Sequence, residues 1–121
     1  MTAVPRISSD DLKRRMDDAG SAPLVVDVRL KYPYEHSTVL LPGALRSGPG
    51  TIDAALLARD RDIVLYDSDP YELVAEMAAS KLIGAGYRAL VLQGGIAAWM
   101  AAKLPTASKT APQPLVSAAK A

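Results

Sequence analysis

The chain has 121 residues, 50% hydrophobic, with 14 basic and 13 acidic side chains and a formal net charge of +1. That size fits one domain able to bury roughly two thirds of its unfolded surface without a disulfide or metal staple, and the charge leaves no electrostatic footprint for nucleic acid or an anionic membrane. The cysteine count is zero, which excludes disulfides, thiolate metal sites, CxxC redox pairs and a cysteine nucleophile, and the single histidine, His36, excludes clustered-histidine metal sites.

Met1 to Ser9 lacks the positive start and apolar run of a signal peptide, and no apolar run approaches a membrane span, so a cytoplasmic location is expected. Ser8-Ser9-Asp10-Asp11 opens a helix: either serine can cap it, and the acids suit the positive end of its dipole. Leu12 and Met16 give that helix its apolar stripe and Gly20 ends it. Lys13-Arg14-Arg15 reads as a solvated helix face. Leu24 to Val28, bounded by Pro23, reads as a buried strand. Lys31 to Ser37 holds one short helical turn, Pro42-Gly43 a turn, Ser47 to Gly50 a loop, and Ile52 to Leu57 a short helix.

Ile63 to Tyr66 is a second buried strand, ending in Asp67-Ser68-Asp69-Pro70. Tyr71 to Ile83 reads as a helix rich in Ala, Leu, Met and Glu, stopped by Gly84 and Gly86. Ala89 to Leu92 is a third strand, and Ile96 to Lys103 a helix with Ile96, Trp99 and Met100 on one face, Trp99 belonging to the core. Thr106 to Ala121, poor in apolar residues, is expected to be a disordered tail behind a domain spanning residues 6–105. Strands alternating with helices predict an α/β fold, a mostly parallel sheet flanked by helices.

Ligands of such sheets sit beyond the carboxyl ends of the strands, and two segments place polar side chains there. Asp27 and Arg29, two apart, face one side and can form a charge-assisted pair that braces the following loop. The other segment is Asp67, Ser68, Asp69, Pro70, Tyr71 and Glu72. A strand running through a tight loop into a helix aims backbone N–H groups at one point, a ready cradle for an anion. Three carboxylates crowd that point. Asp69 as a cap and Glu72 in the first helical turn account for two of them, which leaves Asp67 as the odd one. His36, alone in an irregular segment, is expected to pack rather than to catalyse.

Taken together these residues resemble the rhodanese-like domain. Leu24 to Arg29 looks like the family's apolar strand ending in D-x-R, and Leu41-Pro42-Gly43-Ala44 like its I-P-G-A turn. Ile63 to Tyr66 looks like the strand before the active loop, and Gly94-Gly95-Ile96-Ala97-Ala98-Trp99, followed by Leu104-Pro105, like its G-G-x-x-x-W signature. The resemblance covers about Arg6 to Pro105. It implies a flavodoxin-like fold in which a cysteine at the head of the loop carries a sulfane sulfur as a persulfide, stabilised by loop amides.

This chain departs at that position. Asp67 stands where the family has its cysteine, and Tyr66 to Glu72 is similar to a subgroup reading Y-C-x-C-P-x-E with both cysteines replaced by aspartate. Leu40 stands where many members carry a histidine, and His36, at the usual aromatic position after Glu35, does not replace it. A thiolate is soft and carries a second sulfur; a carboxylate is hard and forms no stable persulfide. The resemblance therefore implies no catalytic residue, cofactor or metal, and no sulfurtransfer. It implies a binding or regulatory module, with Asp67 to Glu72 and the neighbouring Arg29 as the surface to watch. The loop's acidity favours a basic partner, protein or small molecule. If the loop keeps the family's shape, its amides should converge on the Asp67 carboxylate and lower its pKa.

Two other readings stand beside this one. Asp67-x-Asp69 after a strand is similar to the haloacid-dehalogenase phosphotransferases, whose first Asp is a nucleophile and second a general acid, with magnesium. Here the motif lies mid-chain, with too little sequence after it for that family's later lysine and acids. A scaffolding role through the tail is the third reading.

Overall fold

The computed structural model describes residues 4–18, 20, 22–47, 59–69 and 71–109. In chain order the elements are β1 (Arg6–Ile7), α1 (Ser9–Asp17), β2 (Leu24–Asp27), α2 (Lys31–His36), β3 (Val39–Leu40), β4 (Leu45–Arg46), β5 (Asp62–Tyr66), α3 (Leu73–Gly84), β6 (Arg88–Leu92), α4 (Gly95–Ala101) and β7 (Ala107–Ser108). Five strands form one sheet in the order β1-β6-β5-β2-β4, parallel throughout, and β3 pairs antiparallel with β7 in a separate ladder.

The pleat of each strand explains the layering. Val25, Val64, Tyr66 and Leu92 point to one face, where they meet Leu12 of α1 and Ile96 and Trp99 of α4. Leu24, Val26, Ile63, Leu65, Ala89 and Val91 point to the other, where Ala75, Ala78, Ala79 and Leu82 of α3 cover them. The small alanines let α3 lie close on the sheet. Trp99 is fully buried and its Nε1 donates to the Pro105 carbonyl at 2.7 Å, the partner a buried indole needs. Ser8 is the cap of α1, accepting from the Asp11 amide at 3.1 Å. The Leu41–Ala44 segment is a tight turn closed by Ala44 N to Leu41 O at 3.1 Å, with Gly43 at φ 73°, the positive value that a Pro-Gly turn of this kind requires.

The helices and three long strands agree with the sequence reading within two residues or so at most ends. The boundary at residue 105 does not. The ordered chain runs on past Pro105: Ala107 and Ser108 pair with Leu40 and Val39, and the Lys109 amide donates to the Thr38 carbonyl. Leu104 and Ala107 also pack on the first core. A disordered tail beginning at Thr106 is therefore corrected through Lys109; residues 110–121, the expected helix over 52–57 and Pro70 lie outside the described residues. The two-residue strands β1, β3, β4 and β7 carry no periodicity for sequence reasoning to find. Among the described residues, no helix is long and apolar enough to cross a membrane.

Candidate functional site

β2 and β5 are adjacent and in register, with Asp27 opposite Tyr66, so their carboxyl ends deliver both candidate segments to one end of the sheet. The pleat then sends their side chains to different faces. Asp27 lies on the side of Val25 and Tyr66. Asp67, one residue beyond Tyr66, faces α3.

On the first face, Asp27 and Arg29 form the expected pair, fully inside the protein. The Arg29 Nη2 donates to Asp27 Oδ2 at 2.7 Å and its Nε to both carboxylate oxygens, at 3.1 and 3.0 Å. The Arg29 amide adds a bond to Oδ1 at 3.0 Å. The Tyr66 hydroxyl donates to Oδ2 at 2.9 Å while accepting from the Leu41 amide at 3.2 Å. Burial, then the Asp27 charge, pushes the Tyr66 phenol far above its ordinary range, so it stays protonated and keeps donating. Arg29 Nη2 also reaches the Val39 carbonyl at 2.9 Å. This cluster ties β2, β3, β5 and the Leu41–Ala44 turn together. At 2% exposure Arg29 is not part of an open surface beside the loop, and its side-chain bonds run to Asp27 and Val39 rather than toward Asp67.

On the other face, Asp67 is 1% exposed. Its Oδ2 accepts from the Ala75 amide of α3 at 2.8 Å and its Oδ1 from the Asp69 amide at 3.2 Å. Asp69 in turn accepts at Oδ2 from the Tyr71 amide at 3.1 Å and the Leu73 amide at 2.9 Å. Two aspartates therefore satisfy otherwise orphaned amides in the first turn of α3, which suits the positive end of its dipole. Glu72, the residue preceding the helix, sits in the left-handed region at φ 60° and makes no side-chain cap; its carboxylate pairs with Arg6 at 3.0 Å. Arg6 also bonds Glu76. The Asp67 carbonyl accepts from the Ile96 amide of α4 at 3.0 Å, and Gly95, at φ 61°, approaches so closely that a Cβ there would collide with that carbonyl oxygen. Ser68 and Tyr71 are exposed.

Amides do converge on the Asp67 carboxylate, but its pKa is raised all the same. Burial pushes the carboxyl above its ordinary value; the Ala75 and Asp69 amides pull it down, the Asp69 and Glu72 charges push it up, and burial dominates. That corrects the expected direction: two donors do not replace the water that this carboxylate has lost. The acidity from which a basic partner was expected is used inside the fold, in Asp67's burial, Asp69's capping and Glu72's pairing with Arg6. No group of three His, Cys, Asp or Glu side chains among the described residues is placed to hold a metal ion.

Sequence reasoning missed Tyr66, whose phenol in an aliphatic strand was the available signal, since a buried hydroxyl needs partners. It also missed Tyr34, Arg46 and Lys109, which meet only through the tertiary fold. Tyr34 is half-buried on α2, with Arg46 Cζ 4.0 Å, Lys109 Nζ 3.8 Å and Arg29 Cζ 5.2 Å from its ring centroid.

The family model of the rhodanese-like domain matches residues 8–102. The chain belongs to the rhodanese-like domain family. The solution structure of the rhodanese-like domain of an Anabaena sp. protein is 27% identical, with a TM-score of 0.72, covering 89% of this chain and 84% of that one. The crystal structure of a full-length protein from Lactobacillus plantarum is 23% identical, with a TM-score of 0.75 and coverage of 85% and 87%. A Rhodopseudomonas palustris protein of unknown function, described as a possible tyrosine phosphatase, is 19% identical, with a TM-score of 0.71 and coverage of 86% and 85%. The last two share the fold. No curated protein sequence matches the chain. Within this rhodanese-like fold Asp67 follows β5 and heads the loop into α3, as the sequence resemblance placed it.

Proposed function

We propose that this rhodanese-like domain is a non-catalytic binding or regulatory module. The observation that carries the reading is Asp67: at the position that resembles the family's nucleophile stands a carboxylate, 1% exposed, with each oxygen accepting a backbone amide. Persulfide transfer needs a soft, exposed nucleophile, and the chain contains no cysteine to supply one. The same geometry weighs against Asp67 as a phosphotransfer nucleophile, since attack would strip α3 of its Ala75 cap. The rest of the end of the sheet remains available for recognition: Leu30, Tyr32, Tyr71 and Leu73 are exposed there, aromatic and aliphatic side chains of the kind protein contacts use. The direct test is thiocyanate formation from thiosulfate and cyanide by pure protein. The expected result is none above buffer; formation proportional to protein concentration would overturn the reading.

A further inference from the structure

A helix laid on a sheet normally turns a polar face to water. α1 does so: on its outer side Lys13 pairs with Asp17 and Arg14 with Asp11. α3 does not. Its inner face is Ala75, Ala78, Ala79 and Leu82. On the opposite face stand Leu73, Met77, Ser80 and Gly84, all exposed, which fall within about 60° of one another around the helix axis. Leu73 is 55% and Met77 65% exposed, and Ile83, at the edge of this stripe, 41%. Large apolar side chains on both faces are the mark of a helix covered on both. Steps of 4, 3 and 4 residues along the stripe are those of a coiled-coil seam. The small residues at its end let a second backbone come close, and open space lies where a Cβ on Gly84 would point. Beside the stripe, between α3 and β1, runs a groove of about 910 Å³, lined in part by Val4, Ile83 and Leu90.

The charges beside the stripe decide what covers it. Glu76 flanks it on the side of the groove and Lys81 on the other. Glu76 pairs with Arg6, yet its side chain stays 42% exposed; Lys81 is exposed as well. In two parallel helices related by a two-fold axis, the residue before the seam on one helix meets the residue five positions on in the other. Glu76 thereby faces Lys81 of a second copy, and the axis makes the contact twice. We infer that α3 is the contact surface of a homodimer, two copies of this chain packing in parallel along Leu73, Met77, Ser80 and Gly84. The inference goes beyond the binding-module reading and does not use the Asp67 carboxylate. The seam spans only the 12 residues of α3, so the dimer is weak and forms with rising concentration.

The test is sedimentation velocity of the full chain from about 5 to 500 μM, a range that brackets weak association. The weight-average mass should climb from that of one chain toward that of two. Met77→Glu puts like charges into the middle of the seam and should hold the chain monomeric, with its urea midpoint unchanged because the side chain is exposed. Lys81→Glu alone should weaken association about tenfold, since it turns two attractions into two repulsions. Glu76→Lys alone should do the same. An equimolar mixture of those two variants should dimerise again, because each 76–81 contact then pairs opposite charges. A chain that stays monomeric up to 500 μM, which would leave the stripe to a helix of another protein, overturns the inference. So does a dimer that survives Met77→Glu, or a mixture no more associated than its components. If Glu76→Lys fails to fold, Met77→Glu and Lys81→Glu decide between them. The thiocyanate assay reads the non-catalytic proposal separately, so failure of one is distinguishable from failure of the other.

Discussion

A carboxylate shut away from water is costly unless donors replace its hydration. Asp67 has two, from Ala75 and Asp69, and burial still holds its carboxyl above the ordinary value. The unfolded chain releases this proton near ~3.9, the folded chain at higher pH. Between the two values the folded state binds more protons, so this group's contribution to stability declines as pH rises from the ordinary value through the folded one. Side-chain NMR should place the Asp67 titration above the ordinary value, and urea midpoints should fall across that window in the native chain but lack this component in Asp67→Asn. A carboxyl titrating at or below the ordinary value would mean that the amides outweigh burial. The identity of Asp67 as the residue at the critical position was legible in the sequence, because strand, loop and helix are consecutive there. Its degree of burial was not, since that depends on α3 and α4 closing over it from both faces.

At the scale of elements, short continuous apolar runs were enough to reveal β2, β5 and β6, and a composition rich in Ala, Leu, Met and Glu, stopped by glycines, was enough to reveal α3. The short ladder of β3 with β7 depends instead on partners far apart in sequence: Val39 with Ser108, Leu40 with Ala107. Nothing local in Thr106 to Lys109 announces it. The consequence is specific to α2, none of whose residues is fully buried. Its inward-facing Tyr34 is held partly by Lys109, which lies over the ring and donates to the Tyr34 carbonyl. A chain ending at Pro105 should therefore be less stable than one ending at Lys109, with amide exchange around Thr38 to Leu40 speeded most. Equal denaturation midpoints for the two chains would show that the ladder contributes nothing.

At the scale of the molecule, one sheet divides two cores, and the first, under α1 and α4, centres on Trp99. Its indole is fully buried and bonded to Pro105, so it joins α4 to the segment leading into β7. Trp99→Ala should cost about 3–5 kcal/mol in chemical denaturation, as large-to-small core changes do. The native chain should fluoresce with the blue-shifted maximum of a buried indole; a solvent-like maximum would contradict this packing. The parallel α/β architecture was legible from the alternation of strands and helices. The partition of chemistry between the two faces was not, because it follows from which way Tyr66 and Asp67 point at the end of β5, and a single residue of offset would exchange them.

Asp67 meets the first turn of α3 with its side chain and that of α4 with its carbonyl. Those helices lie on opposite faces of the sheet, so one residue fastens both sides of the domain. Surface loops usually breathe on their own, at little cost in free energy. Here an opening that carried Asp67 outward would uncap two helices at once and loosen both cores. The loop is thus part of the cooperative unit rather than a lid upon it, and the surface it presents at this end of the molecule is already set.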